Sequence, residues 1–191
     1  MNEPEAAGEQ RAGTLGMAIF LVSLSILFTA TLIGYLVVRF QARAWGAPGT
    51  HGLPSGLWAS TGIIAACSVA IQRALKAVRG DRPAGLRRWL LATLLLGLAF
   101  LACQGANWLA LVRLNLPPEA KNLYAFTFYV LTGLHALHVL GGLAGLGAVM
   151  AKARRGAYTR ESHTGVKLCA MYWHFLGVVW LVLFGTLELT A

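Results

Sequence analysis

The chain has 191 residues, of which 57% are hydrophobic and only 12% are charged, and its mean hydropathy is positive. This composition excludes a soluble domain and is typical of a protein that crosses a membrane several times. The net charge of +9 does not indicate nucleic-acid binding here, because the basic residues are confined to the gaps between apolar runs.

Five apolar runs are each long enough to cross a hydrocarbon core of about 30 Å as a helix. We therefore predict an all-α fold, a bundle of five transmembrane helices within residues 14–191. Residues 1–13 are polar and net acidic, and are expected to form an exposed tail. Turn chemistry separates the first two spans between Pro48 and Pro54, and the third and fourth spans at Pro117–Pro118. The predicted spans cover about 14–39, 55–78, 88–112, 123–151 and 166–188.

The distribution of positive charge predicts the orientation. The tail and the connectors after spans two and four carry 12 of the 16 Lys and Arg residues. Positively charged segments stay cytoplasmic. We expect the N-terminus in the cytoplasm, the C-terminus outside, and the first apolar run to be a retained membrane span.

Three histidines interrupt the last two spans: His135 and His138 in span four, and His174 in span five. An ionisable side chain is costly at mid-bilayer depth, so these side chains are expected to face protein and not lipid. Intervals of three and four place His135 and His138 on one seam of span four, beside glycines that allow close helix contact. The glycines with this expected packing role are Gly141, Gly142 and Gly145 in span four and Gly177 in span five.

Other side chains are also expected to pack helices. Gln104 and Asn107 lie on one face of span three, where amides typically form interhelical hydrogen bonds, although they can also line a path for water, protons or a ligand. Trp173 and Trp180 share a face of span five and are expected to pack against span four or another subunit. Arg39, at the end of span one, is a candidate for contact with a phospholipid headgroup.

The histidines leave three interpretations open. They can be hydrogen-bonded structural residues, they can line a proton or water path, or His135, His138 and His174 can together ligate copper, zinc or haem. We predict the first, with no catalytic, metal or cofactor-binding residue, because no nucleophile–base pair, phosphate loop or paired carboxylate is present.

Two motifs resemble subunit III of the haem-copper respiratory oxidases. Thr132-Gly133-x-His135-x-x-His138-Val139 resembles that family's penultimate helix, and Tyr172-Trp173-His174-Phe175 resembles its last helix. Weaker similarities, such as that around Gln104, extend the resemblance over roughly residues 15 to 188, in a five-helix form without the two N-terminal helices of longer members.

The resemblance implies a non-catalytic subunit of a terminal oxidase in aerobic respiration, with haem and copper held by the partner. Such a subunit packs beside catalytic subunit I in a complex with subunit II, binds phospholipid, and supports proton uptake and stability. Two alternative functions are an accessory subunit of a nitric-oxide reductase and a stand-alone membrane protein that binds haem or copper.

The chain departs from the family pattern at four carboxylates. Leu24, Asn107, Lys167 and Gly177 stand where the family usually has glutamate or aspartate. Proton-handling roles carried by those groups are therefore not expected here.

Overall fold

The structure is a computed structural model that describes residues 3–42, 54–114, 116 and 123–190, with side chains of the first helix described at residue 8 and from residue 10 onward. The described residues form five α-helices, all long and apolar enough to cross a membrane, which confirms the predicted fold class. The helices are α1 (Glu3–Gln41), α2 (Gly56–Arg79), α3 (Pro83–Arg113), α4 (Leu123–Arg154) and α5 (Thr164–Thr190).

The helices extend beyond the apolar runs that define the predicted spans. α1 begins at Glu3, inside the segment expected to be a polar tail, and its residues 10–12 are exposed. α3 begins at Pro83 and so includes the exposed Arg87 and Arg88. Helical hydrogen bonding does not stop where the hydrocarbon stops, and long cationic side chains reach water from a helix end. Of the turn expected between Pro48 and Pro54 the structure describes only Pro54, and the turn expected at Pro117–Pro118 lies outside the described residues.

Local signals fix the described helix ends. The Gly80 N–H donates to the Lys76 carbonyl at the end of α2, and Asp81 follows with φ 51°, a left-handed conformation that aspartate tolerates. Pro83 then opens α3, where its missing N–H costs no helical hydrogen bond. Gly156, with φ 70°, ends α4 in the way glycine commonly does.

α4 and α5 each contact three other helices. α5 contacts α1, α2 and α4, α4 contacts α1, α3 and α5, and α2 and α3 pack against each other as a hairpin. Among the described helices, α1 contacts only α4 and α5, and it buries mainly Leu24, Phe28 and Tyr35. Most of the remaining apolar surface of α1 is exposed, as is expected of a helix that faces lipid.

Candidate functional site

His135 occupies the centre of the bundle. Its side chain is fully buried among three rings, those of Phe28 on α1, Phe100 on α3 and Trp180 on α5. The ring centroids lie 6.2, 5.6 and 5.2 Å from the imidazole. Neither imidazole nitrogen has a hydrogen-bond partner among the described residues. His135 therefore joins four helices by ring packing.

Trp180 connects the His135 cluster to α2. Its ring meets Phe100 edge to face, with centroids 4.9 Å apart. Its indole Nε1–H donates to the hydroxyl of Thr61 at 3.0 Å, and that hydroxyl donates to the Leu57 carbonyl of its own helix. A threonine in a helix can satisfy its own donor in this way and still accept a bond from a neighbouring helix.

Trp108 and Thr132 repeat the same arrangement between α3 and α4. The Trp108 Nε1–H donates to the Thr132 hydroxyl at 3.0 Å, and Thr132 donates to the Phe128 carbonyl at 2.7 Å. Trp108 therefore points its polar atom into the bundle.

The amides of α3 form a second polar group near α2. Asn107 Nδ2 donates to Gln104 Oε1 at 3.1 Å and lies 3.4 Å from the Ser60 hydroxyl on α2. Both amide side chains are buried. Asn107 thus bonds to α2, whereas the bond of Gln104 is within its own helix and its Nε2 has no described partner.

His138 faces α1 and uses its own helix for hydrogen bonding. Its Nδ1 donates to the Leu134 carbonyl at 2.8 Å, and its ring lies 4.9 Å from that of Phe28. The Tyr172 hydroxyl of α5 donates to the backbone carbonyl of His138 at 2.9 Å. The bond from α5 is therefore to the main chain of His138 and not to its imidazole.

The glycines of α4 differ in their surroundings. A Cβ at Gly142 would lie 2.9 Å from the Tyr172 ring, so α4 and α5 approach closely there. Gly141 is exposed, and a Cβ at that position would lie 3.8 Å from the Tyr172 hydroxyl, whereas a Cβ at Gly145 would have nothing within 4 Å. The close contact within the chain is therefore made at Gly142 and not through the Gly141–Gly145 pair.

His174 lies apart from the other two histidines, against α2. Its Nε2 is 3.1 Å from Gln72 Oε1, and the side chain is only partly buried. One turn further along α5, Gly177 is buried, and a Cβ there would lie 3.0 Å from the Ser68 hydroxyl. α2 and α5 thus pack closely where Gly177 meets Ser68 and His174 bonds to Gln72.

The three imidazoles do not form a metal site. His135 packs among aromatic rings, His138 bonds within α4 and His174 bonds to Gln72. Within the part of the chain that the structure describes, no three His, Cys, Asp or Glu side chains lie close enough to hold one ion. The three histidines therefore do not together form a three-ligand copper or zinc site.

Trp173 and Trp180 both point towards the α2–α3 hairpin. A Cβ at Gly97 of α3 would lie 2.7 Å from Trp173 Cη2 and 2.8 Å from Leu143 Cδ2. Because Gly97 has no side chain, Trp173 and Leu143 can both pack against α3 there. Contact with α4, expected for this face, is made by Trp180 through His135.

Arg39 lies at the end of the α1–α5 contact. Its Nε donates to the Thr190 carbonyl at 2.6 Å, and Tyr35 bonds to the Thr190 hydroxyl. The guanidinium thus satisfies a carbonyl of the last turn of α5. A lipid contact for Arg39 remains a prediction.

The sequence analysis did not single out Thr61, Ser60 and Gln72, which bind Trp180, Asn107 and His174. Their only signal in the sequence is a polar side chain within an apolar run, which many lipid-facing Ser and Thr residues share. Thr132 belongs to a motif quoted above, but its bond to Trp108 was not predicted.

Comparison with known proteins identifies similar chains. A family model described as cytochrome c oxidase subunit III matches residues 7–189. The chain is 39% identical over 171 residues to cytochrome c oxidase subunit 3 of Synechocystis sp. (strain ATCC 27184 / PCC 6803 / Kazusa), covering 88% of this chain and 72% of the relative. It is 34% identical to cytochrome c oxidase subunit 3 of Thermostichus vulcanus, covering 91% and 85%. It is 32% identical to the probable subunit of the same name from Nocardia farcinica (strain IFM 10152), covering 91% and 86%.

Proposed function

The chain belongs to the cytochrome c oxidase subunit III family, a non-catalytic subunit of the oxidase, and we propose that it packs beside catalytic subunit I and stabilises it. The observation that carries this proposal is the family match over residues 7–189, nearly the whole described bundle. The interior supports it, because the buried polar groups serve helix packing and, among the described residues, supply no ligand set for a redox centre.

The setting follows from the same family. The protein is an integral membrane subunit of a multi-subunit oxidase of the respiratory chain. We propose subunits I and II as its partners and the bacterial cytoplasmic membrane as its location. The predicted orientation, with the N-terminus cytoplasmic, puts the basic α2–α3 and α4–α5 connectors on the cytoplasmic side.

Support of proton uptake is proposed to be indirect. Leu24 and Gly177 are buried and carry no polar side chain, Asn107 bonds to an amide, and Lys167 donates to Thr14. The described carboxyl side chains, those of Asp81, Glu161 and Glu188, are all exposed at or beyond helix ends. We therefore propose that the chain supports proton uptake by holding the catalytic subunit and does not carry protons through its interior.

Phospholipid binding is supported by a hollow between α1, α4 and α5. It has a volume of about 370 Å³ and is lined by apolar side chains and glycines, including Phe20, Gly142, Leu168 and Tyr172. An acyl chain needs such an apolar channel and no specific polar partner. We propose that a phospholipid tail occupies it.

Co-purification tests the proposed function. The tagged chain is purified from membranes in mild detergent, and haem and copper are quantified in the complex and in the dissociated chain. We expect a complex with a haem Soret band that reduces O₂, and a colourless dissociated chain. A partner that reduces nitric oxide would identify the alternative complex, and stoichiometric haem or copper on the dissociated chain would contradict the proposal.

A further inference from the structure

One side of α5 is left uncovered between α1 and α2. Over their described residues these two helices do not contact each other, although both contact α5. Between them, Val178, Leu181 and Val182 of α5 are 60%, 54% and 51% exposed. We call this feature the α1–α2 groove: α5 from Lys167 to Leu189 forms its floor, and α1 and α2 form its walls.

The groove has the length of a transmembrane helix. Two hollows flank Val178, one of about 270 Å³ against α2 and one of about 180 Å³ against α1. Val178 lines both, so they are two sides of one groove. The floor from Lys167 to Leu189 spans roughly 33 Å at the helical rise, close to the thickness of a hydrocarbon core.

The floor of the groove is polar near its middle. His174 lines the hollow against α2 together with Ser68, and its Nε2 faces Gln72 Oε1. A carbonyl oxygen only accepts, so Nε2 carries the proton and Nδ1 of the neutral ring is an acceptor. No hydrogen bond to Nδ1 is formed within the described residues. A polar atom of this kind in lipid is unfavourable, and intramembrane histidines almost always face protein.

Two basic side chains lie at one end of the groove. Arg11, Thr14 and Lys167 line an open hollow of about 500 Å³ there, and Lys167 Nζ donates to the Thr14 hydroxyl at 3.2 Å. Among the described side chains, no carboxylate pairs with Arg11 or Lys167. This end therefore complements a negative charge.

Small residues of the α2 wall lie beside His174. Ala65 is exposed and, with Ser68, lines the hollow that contains His174. Small residues let two helix backbones approach closely in a membrane. The wall thus suits a packed helix better than it suits a mobile lipid tail, which gains nothing from close backbone approach.

We propose that a transmembrane helix of the catalytic subunit occupies the α1–α2 groove. That helix presents a hydrogen-bond donor to His174 Nδ1 near its middle and a carboxylate to Lys167 and Arg11 at one end. This inference rests on the proposed function, since it assigns the face through which the subunit binds its partner.

Site-specific photocrosslinking in native membranes tests the groove. A photoreactive phenylalanine analogue replaces Val178, and, in separate variants, Leu98 on α3 or Leu137 on α4. The two control residues are exposed on other faces, and Leu98 lies near the depth of His174 because Gly97 packs against Trp173. We expect a covalent adduct between position 178 and the catalytic subunit, identified by mass spectrometry, and lipid adducts at positions 98 and 137.

A packing variant provides a second measurement. Ala65→Trp adds bulk to an exposed position of the groove, so the chain itself can still fold, and Leu98→Trp is the matched control. We expect Ala65→Trp to lower co-purification of the catalytic subunit by roughly tenfold, as overpacking of an interface would. Leu98→Trp should leave it unchanged.

Different experimental results would contradict this inference and the proposed function. Absence of any haem-containing partner from the wild-type preparation would contradict both. An intact oxidase complex in which position 178 crosslinks only to lipid or to a second copy of this chain, and in which Ala65→Trp retains the partner, would overturn the groove alone.

Discussion

Trp180 on α5 donates its indole N–H to the hydroxyl of Thr61 on α2, across a sequence separation of 119 residues. Trp108 and Thr132 form the same contact between α3 and α4. In both pairs the threonine hydroxyl donates to a carbonyl one turn back in its own helix. A tryptophan ring buries a large apolar area but carries one donor that needs an acceptor, and a helical threonine supplies that acceptor without opening its helix.

The Trp180–Thr61 contact should be measurable as a coupling energy. We expect Trp180→Phe and Thr61→Val together to be less destabilising than the sum of the two single variants, with a coupling of about 0.5 to 1.5 kcal/mol. The measurement is the free energy of unfolding of the purified chain in mixed micelles. Thr186→Val, whose hydroxyl bonds only to the Val182 carbonyl, is the control and should add to Trp180→Phe without coupling. Additivity of the first pair would contradict an energetically significant bond.

Gly97→Ala should destabilise the bundle. The new methyl would lie under 3 Å from both Trp173 and Leu143, and the indole, fixed in a packed core, has little room to move. We expect a loss of about 1 to 3 kcal/mol in unfolding free energy. Gly105→Ala, on the same helix but with open space at the Cβ position, should change it by less than about 1 kcal/mol. Equal effects of the two variants would show that α3 and α5 do not meet at Gly97.

Substitutions of Gly142 and Gly145 on α4 should differ in their effect on the unfolding free energy in the same assay. Gly142→Ala pushes a methyl against the Tyr172 ring and disturbs the bond from the Tyr172 hydroxyl to the His138 carbonyl. We expect a loss of about 1 to 2 kcal/mol for Gly142→Ala and almost none for Gly145→Ala. Larger sensitivity at Gly145 in the isolated chain would support the helix-packing role that the sequence analysis predicted for that glycine.

His135 offers a test of ring packing against hydrogen bonding. Since neither nitrogen has a partner among the described residues, His135→Leu removes buried polar atoms at nearly constant volume, and we expect a change smaller than about 1 kcal/mol. Asn107→Leu removes the bond to Ser60 and leaves Gln104 Oε1 without its described partner, so it should cost about 1 to 3 kcal/mol. If His135→Leu proves the more damaging variant, the imidazole binds a group that the described residues do not supply.

The helices could be predicted from the sequence, but their lengths could not. Five uncharged runs are a strong signal, because only a helix satisfies every backbone group inside a bilayer. The start of α1 at Glu3 and of α3 at Pro83 was not predicted, since hydropathy reports where lipid ends and not where helical hydrogen bonding ends. Charged residues such as Arg87 are compatible with a helix once their side chains reach water.

The sequence predicted which side chains form the polar site but not which residues they contact. His135, Asn107 and Trp180 stand out because polar or bulky side chains interrupt apolar runs. Their contacts depend on how the helices are rotated and shifted along one another, and in lipid many rotations bury similar apolar area. Thus the sequence did not indicate that Gln72 is the partner of His174, from which it is separated by 102 residues.

The separation of α1 from α2 also bears on how the bundle is made. As the chain enters the membrane, α2 and α3 can associate as soon as both are inserted, because they are consecutive and tightly paired. α1 has no such neighbour among the described helices: its contacts are to α4 and α5, which are synthesised more than 80 residues later. Its partner helices within the chain are therefore available only after α4 and α5 have been synthesised. α1 contains the most hydrophobic stretch of the five helices, so it is stable in lipid without a protein partner.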